Sequence, residues 1–421
     1  MAETMATMLV LTNARLIDGT GREPVENATV VIAGDRIVEL GRQERYGKGT
    51  TVIDLEGSSV LPGLIDCHLH LGGFVIDEPG RLVGEFHLRD SLSFMWDYWR
   101  DFARRRKLAI ENGVTTIRSA GDNYPHITQL RDKITAGKLT GPRIFAAGPI
   151  FTAPGGHPAG TIYKRNRYIV EHATRQVSNA MEAREEVKKL AEGGVDCIKA
   201  VYSKTNPMDL GHEVPQLALD VLRAIVDEAH MHNLRIMVHT GNPNETRDAV
   251  GAGADSIEHG ILPGANCTEF AADVIELMLE GGTYYVPTLA IAWANRNTYP
   301  DLFSDSMKAL KQLHDAGVNV ALGTDSGAPG VVIGKAVHTE LQLMVEAGLS
   351  PMEAIIAATK RAAENLGKQS ELGTIEEGKL ADVIVVSADP LISIANTASL
   401  TLVVKGGRIV LNRRFSVKRP S

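Results

Sequence analysis

The run Leu64-Ile65-Asp66-Cys67-His68-Leu69-His70 alternates side chains in the manner of a β-strand, whose successive residues point to opposite faces, so Asp66, His68 and His70 share one face. A His-x-His pair on a strand suits one divalent ion, at zinc–nitrogen distances of about 2.0–2.1 Å. It equally suits two ordinary, partly exposed histidines. Further along, Asp196-Cys197-Ile198-Lys199-Ala200-Val201 carries Lys199 in its apolar middle, where an unpaired ammonium is costly. Lysine answers burial either by losing its proton, which leaves a nucleophilic amine, or by snorkelling to a partner. His239 and His259 stand where two further strands are expected to end, and Val320-Ala321-Leu322-Gly323-Thr324-Asp325 delivers a carboxylate in the same way. Alone, each reads as a packed histidine or a turn-capping aspartate. Together they place metal-ligand chemistry at the ends of five strands.

The elements that must position these groups fall into three zones. Residues 1–61 are short β-rich runs separated by Gly and Asp turns, and residues 366–421 repeat that style with Gly406-Gly407 as a hairpin turn. Neither end is large enough to bury a core, so the two are expected to complete one small β-sandwich. Residues 62–365 alternate strand with helix. Eight strands are expected at 64–70, 115–120, 143–148, 196–202, 235–240, 256–260, 284–289 and 319–323, with helical patterns such as 215–232 and 305–316 between them. Eight right-handed β-α units predict an α/β fold, a (β/α)8 TIM barrel, with functional groups at the C-terminal strand ends. An open doubly wound sheet would call for a Gly-x-Gly-x-x-Gly loop after an early strand, and there is none.

The chain of 421 residues is 44% hydrophobic and 23% charged, enough apolar material for a large core. Its 51 acidic residues against 44 basic ones give a net charge of -7, which argues against a nucleic-acid partner. Three cysteines form no Cys-x-x-Cys pair, and an odd count argues against a disulfide framework. With no basic leader and no run of about 18 apolar residues, the expectation is a cytoplasmic enzyme without membrane contact, its oligomeric state open to a homo-oligomer.

The Pro62-Gly63-Leu64-Ile65-Asp66-Cys67-His68-Leu69-His70 run, Lys199, His239, Glu258-His259-Gly260 and Gly323-Thr324-Asp325 together resemble the amidohydrolase superfamily, in its prolidase-like and imidazolonepropionase-like branch. The resemblance spans nearly the whole chain, including the return segment Gly373-Thr374-Ile375-Glu376-Glu377-Gly378. It implies two divalent metal ions, usually zinc: His68, His70 and Asp325 on the first, His239 and His259 on the second, and Lys199 bridging both as a CO2-derived carbamate. It also implies hydrolysis of a C–N bond of amide type by a metal-bridging hydroxide, with Asp325 shuttling the proton. The Gly155-Gly156-His157 loop is similar to one whose histidine stabilises the oxyanion in that branch.

The small-molecule substrate is less legible. An N-acyl amino acid, a dipeptide, a urea or carbamate and a cyclic amide all fit the reaction. The branch's Ser-Gly-Gly turn is absent after Lys199, and His212 stands where a tyrosine aligns; both departures weaken a transfer of dipeptide specificity, with a dipeptidase kept as an alternative. Aromatic residues concentrate at 94–102; Met95, Trp99 and Phe102 form a core stripe at helical spacing, which leaves Trp96 on another face as a candidate pocket residue. The rivals are a hydrolytic deaminase, whose His-x-x-Glu frame is missing after His239, and a metal-free, non-catalytic relative, which would have lost ligands that are all present here.

Overall fold

In the computed structural model, which describes residues 8–41, 49–76, 81–82 and 91–416, the two β-rich ends make one mixed sheet. Five strands come from the N-terminal end: β1 (Met8–Leu16), β2 (Val25–Ala33), β3 (Arg36–Gly41), β4 (Thr51–Asp54) and β5 (Ser59–Pro62). Three come from the other end, β18 (Val383–Val386), β19 (Leu400–Lys405) and β20 (Arg408–Asn412). Their order is β20-β19-β18-β5-β1-β2-β3, with β4 also on β1. The seam joins the two termini: β18 runs antiparallel to β5 with Val383 opposite Pro62 and Val385 opposite Val60. Inward-facing Leu11, Val30, Ile32, Ile53, Val383 and Val404 share one apolar cluster, the period-two burial that makes each run a strand.

Between the ends the strands are parallel. β6 (Leu64–Leu69), β9 (Val114–Ser119) and β10 (Arg143–Ala146) form one sheet. β11 (Ile150–Thr152), β12 (Thr174–Gln176), β13 (Cys197–Val201), β14 (Arg235–Thr240), β15 (Ser256–His259), β16 (Tyr284–Val286) and β17 (Asn319–Val320) form another, ordered β12-β11-β13-β14-β15-β16-β17. Hydrogen bonds link the two sheets on both sides: the Asp196 amide donates to Ala146 O at 2.8 Å, and the Cys67 amide donates to Leu322 O at 2.9 Å. A short ribbon of β7 (Val75–Ile76) and β8 (Arg81–Leu82) lies apart.

Three strands depart from expectation, each for a local reason. The run 143–148 gives way to a second strand at Ile150, because Gly148 turns at φ +68° and Pro149 has no amide to continue the ladder. Pro287 ends β16 in the same way. The run 319–323 pairs as a strand only over Asn319–Val320, since the Leu322 amide turns to Ala357 O.

Helices cover the parallel strands with one apolar face. In Leu219–Met231 the buried Val221, Leu222, Ile225, Val226 and Ala229 follow helical spacing. Right after β14, Asn242 caps Pro243–Gly251 by accepting from the Asn244 and Glu245 amides, with proline in the first turn. The His239 end of β14 is thereby tied to a fixed helix start. No helix among the described residues is long and apolar enough to cross a membrane.

Candidate active site

The strand ends gather around one small cavity of about 30 Å³, lined by His68, His70, Lys199, His239, His259 and Asp325, with His157 over it. The imidazole centroids lie 5.6 Å apart for His68 and His70, 4.9 Å for His68 and His259, and 4.5 Å for His239 and His259. The parallel register sets this up: Val201 pairs with His239, and Thr240 with His259, so adjacent strands end at one level. Asp66 does not line the cavity. Its carboxylate accepts from Thr324 Oγ1 at 2.6 Å, from the Thr324 amide and from the His68 amide, which staples β6 to the turn carrying Asp325. Burial pushes the Asp66 carboxyl up to about 7.

The hydrogen bonds fix where the lone pairs point. His68 Nδ1 donates to Glu258 Oε2 at 2.5 Å and His70 Nδ1 donates to Gly121 O at 2.9 Å. Each ring therefore turns an Nε2 lone pair to the cavity. There Asp325 Oδ1 stands 3.5 Å from His68 Nε2 and 3.3 Å from His70 Nε2. With both imidazoles neutral, three electron-pair donors face one another with no proton between them, an arrangement that a bound cation satisfies. Ligand atoms of His68, His259 and Asp325 all lie within 4.8 Å of one another. Two more buried atoms on the same cavity, Lys199 Nζ and His239 Nε2, have no hydrogen-bond partner, nor has Asp325 Oδ1. The donor set thus fits a metal centre.

Electrostatics agree. Burial drives the His68 and His239 imidazoles well below their ordinary value, and the neighbouring ammonium and imidazoles add to it. Burial also brings His259 down to about 4 and the Lys199 ammonium down to about 8. For Asp325, burial pushes upward, but a hydrogen bond from His70 and the positive charge of the His68, His259 and His70 rings in their protonated forms more than offset it and hold the carboxyl well below the usual range. Neutral imidazoles beside an ionised carboxylate are the forms that ligate a cation.

His157 sits on the loop after β11, where burial lowers it to about 4. Its Nδ1 is 2.7 Å from Thr161 Oγ1, whose other acceptor, Pro158 O, is at 3.4 Å. The Thr161 hydroxyl thus holds Nδ1 and leaves Nε2 as the ring nitrogen free of that contact. Above the small cavity opens a chamber of about 170 Å³, walled by Phe74, Ile261, Ile291 and Leu302. No Lys or Arg is among the described residues that line it.

Two expected substrate residues lie elsewhere. Trp96 is 74% exposed on its helix and lines none of the described pockets, whereas Met95, Trp99 and Phe102 pack on the core as their spacing predicts. The His212 side chain is 80% exposed, bonded to Asp209, and borders a separate polar hollow with Lys204. A tripeptide of loop, Asp209 to Gly211, turns it outward through hydrogen bonds to Asp209. Sequence reasoning also passed over groups that act here. Arg118, 2% exposed in mid-strand, donates to Glu258 Oε1 at 2.8 Å and to Cys67 O at 2.6 Å, so it fixes the carboxylate that orients His68. The signal was an arginine inside the expected strand Thr116-Ile117-Arg118-Ser119-Ala120, no less costly to bury than Lys199.

Residues 59–410 match the Amidohydrolase family, and the chain belongs to it. Family members are hydrolases of amide-type bonds in small molecules, and that class holds for this chain. It is 28% identical over 446 aligned positions to the ochratoxinase of Aspergillus niger, covering 96% of this chain and 87% of that one. Among solved structures, a Xaa-Pro dipeptidase with methionine bound in its active site aligns at TM-score 0.80 and 27% identity, over 96% of this chain and 100% of that one. Phenylurea hydrolase B aligns at TM-score 0.80 and 25% identity over 97% of each chain.

Proposed function

We propose that the protein is a binuclear metal-dependent hydrolase, built on a closed (β/α)8 barrel, that cuts a C–N bond of amide type in a small molecule bearing an apolar group. The observation that carries this is the convergence of His68 Nε2, His70 Nε2 and Asp325 Oδ1 with no donor among them, beside the unpartnered Lys199 Nζ and His239 Nε2. His68, His70 and Asp325 would hold one ion and His239 and His259 a second, with zinc as the metal; Lys199 would bridge them as a carbamate. In forming the carbamate, the neutral lysine amine adds to CO2 and loses one proton, which turns an orphaned nitrogen into an anionic group with two ligand oxygens. When bound, the ions polarise the scissile carbonyl and lower the pKa of water.

The chain's own groups do the rest. Asp325, ionised at the floor of the chamber, accepts a proton and returns it to the leaving nitrogen. His157 gives its Nε2–H to the carbonyl oxygen as negative charge develops there. Phe74, Ile261, Ile291 and Leu302 exclude water and take the apolar group. A free carboxylate would be desolvated on those walls without a cation among the described residues, so the chamber favours aryl or alkyl amides, ureas and carbamates over dipeptides.

The test is elemental analysis of zinc-loaded protein, followed by a panel of N-acyl amino acids, dipeptides, arylureas, carbamates and lactams. The expected result is about two ions per chain and turnover of neutral, apolar members. A ceiling of one ion with unmodified Lys199 would favour a deaminase. A preference of several orders of magnitude for free-carboxylate dipeptides over their amides would defeat the substrate reading alone.

A further inference from the structure

Thr288 directly precedes the helix Leu289–Ala294, the position from which a threonine hydroxyl ordinarily caps the first turn. Here the hydroxyl makes no cap bond. It lies 2.8 Å from Pro287 O and 2.7 Å from His259 Nδ1. The free amides of the helix are taken instead by Glu340, a fully buried side chain of the helix Lys335–Glu346: Oε1 accepts from the Leu289 amide at 2.8 Å and Oε2 from the Ala290 amide at 2.6 Å.

This exchange of partners orients a ring. With His259 Nδ1 held against Thr288 Oγ1, Nε2 is the nitrogen left to face the cavity. When Nε2 ligates a cation, Nδ1 carries the ring proton and donates it to Thr288 Oγ1, whose own proton goes to Pro287 O. The backbone accompanies this: Thr288 stands at φ +52° and His259 at φ +67°, a left-handed conformation that a β-branched residue such as Thr288 rarely adopts and that persists only where the surroundings over-determine it. The same short helix carries Ile291 and Ala292, and its C-cap Asn295, on the wall of the apolar chamber.

We propose that Glu340 is a positioning residue: by capping the helix Leu289–Ala294 in place of Thr288, it frees the Thr288 hydroxyl to hold His259 with Nε2 toward the cavity, while it anchors the chamber wall. The proposal rests on the reading of His259 as a metal ligand. A hydrogen-bond partner behind a ligating histidine commonly changes metal affinity by about 10–100-fold when removed. Thr288 acts on the ligand alone; Glu340 acts on the ligand and on the helix together.

The experiment measures zinc affinity by competition with a chromophoric chelator, and amide hydrogen exchange over residues 288–295, in the full chain. Thr288→Val is expected to weaken zinc binding about tenfold or more with exchange unchanged. Thr288→Ser, which keeps the hydroxyl, is expected to match wild type in both. Glu340→Gln is expected to speed exchange and weaken zinc binding together. Wild-type affinity in Thr288→Val, or faster exchange in Glu340→Gln with wild-type affinity, would overturn the proposal. If Glu340→Gln does not fold, the two Thr288 variants decide. His259→Ala separates the two readings: if it binds zinc as tightly as wild type, the ligand assignment itself is wrong, whereas weakened His259→Ala beside unchanged Thr288→Val overturns only the role of the hydroxyl.

Discussion

Replacing His157 by Phe keeps a ring over the cavity and removes one N–H. Because burial lowers this imidazole to about 4, only about one molecule in a thousand carries the imidazolium at pH 7. His157 therefore acts as a neutral donor, and its contribution is that of a single oxyanion hydrogen bond, about 2.7–4 kcal/mol or about 10²–10³ in kcat. The donor has to sit on Nε2, which is the tautomer in which the Thr161 hydroxyl, 2.7 Å from Nδ1, donates to that nitrogen. Thr161→Val removes one hydrogen bond of about 0.5–1.5 kcal/mol, so it should cost about 2–10-fold, an intermediate step in the same direction. The assay is steady-state kinetics on any amide the wild type turns over, with metal content measured on the same samples. Between pH 6 and 8 wild type should show no limb that His157→Phe lacks, since a group titrating near 4 stays neutral there. A His157→Phe variant with full metal content and kcat within about threefold of wild type would refute the argument, as would a pH limb near 6.5 that the substitution abolishes.

Other substitutions probe the remaining parts of the site. Asp325→Asn should retain bound metal, because an amide oxygen still ligates, and lose most turnover, because it accepts no proton; unchanged kcat would remove it as the shuttle. Arg118→Met leaves the Glu258 carboxylate buried beside Ser256 without its cation, a change that costs about 3–5 kcal/mol, to be read as a lower denaturant midpoint; an unaltered midpoint would count against it. Ile291→Gln should raise KM for apolar amides while exposed Trp96→Ala leaves it unchanged; the reverse pattern would return Trp96 to the pocket. His338, buried between Thr397 and Asn112, is lowered by burial from 6.5 to about 4. As pH falls below 6.5 the unfolded chain takes up a proton that the folded one refuses, so stability should drop by about 1.4 kcal/mol per pH unit, levelling near pH 4 after about 3 kcal/mol. Unfolding of His338→Asn should show a shallower slope over that window, and an identical slope would contradict the assignment.

What could be read from the chain divides along physical lines. The cavity-lining groups were legible because polar side chains within or at the ends of expected strands are expensive and conspicuous: His68, His70, Lys199, His239, His259 and Asp325 all reach one cavity. The strand–helix alternation was legible for the same reason, through periodicity, while its boundaries at Gly148-Pro149 and Pro287 shifted where a single missing amide ends a ladder. The chamber walls were not legible. Phe74, Ile261, Ile291 and Leu302 come from distant loops and helices, and an apolar residue facing a substrate has the same composition as one facing the core. Trp96 and His212 went astray because a face on a helix or a place in a loop does not say which way the surrounding turn points. Arg118 was overlooked for want of its partner: Glu258 is 140 residues away in sequence.

The seam between β5 and β18 sets a condition on how the protein is made. Val60 and Val385 pair across more than 300 residues, so on a ribosome adding about 5–20 residues per second the finished N-terminal strands wait roughly 16–65 s for their neighbour. During that interval β5 presents an unpaired edge that any other strand can join. Chains that stop short of β18 should therefore aggregate although every candidate site residue has been synthesised, and a chaperone that shields the edge of β5 should raise the yield of intact protein more than one that acts on the parallel strands.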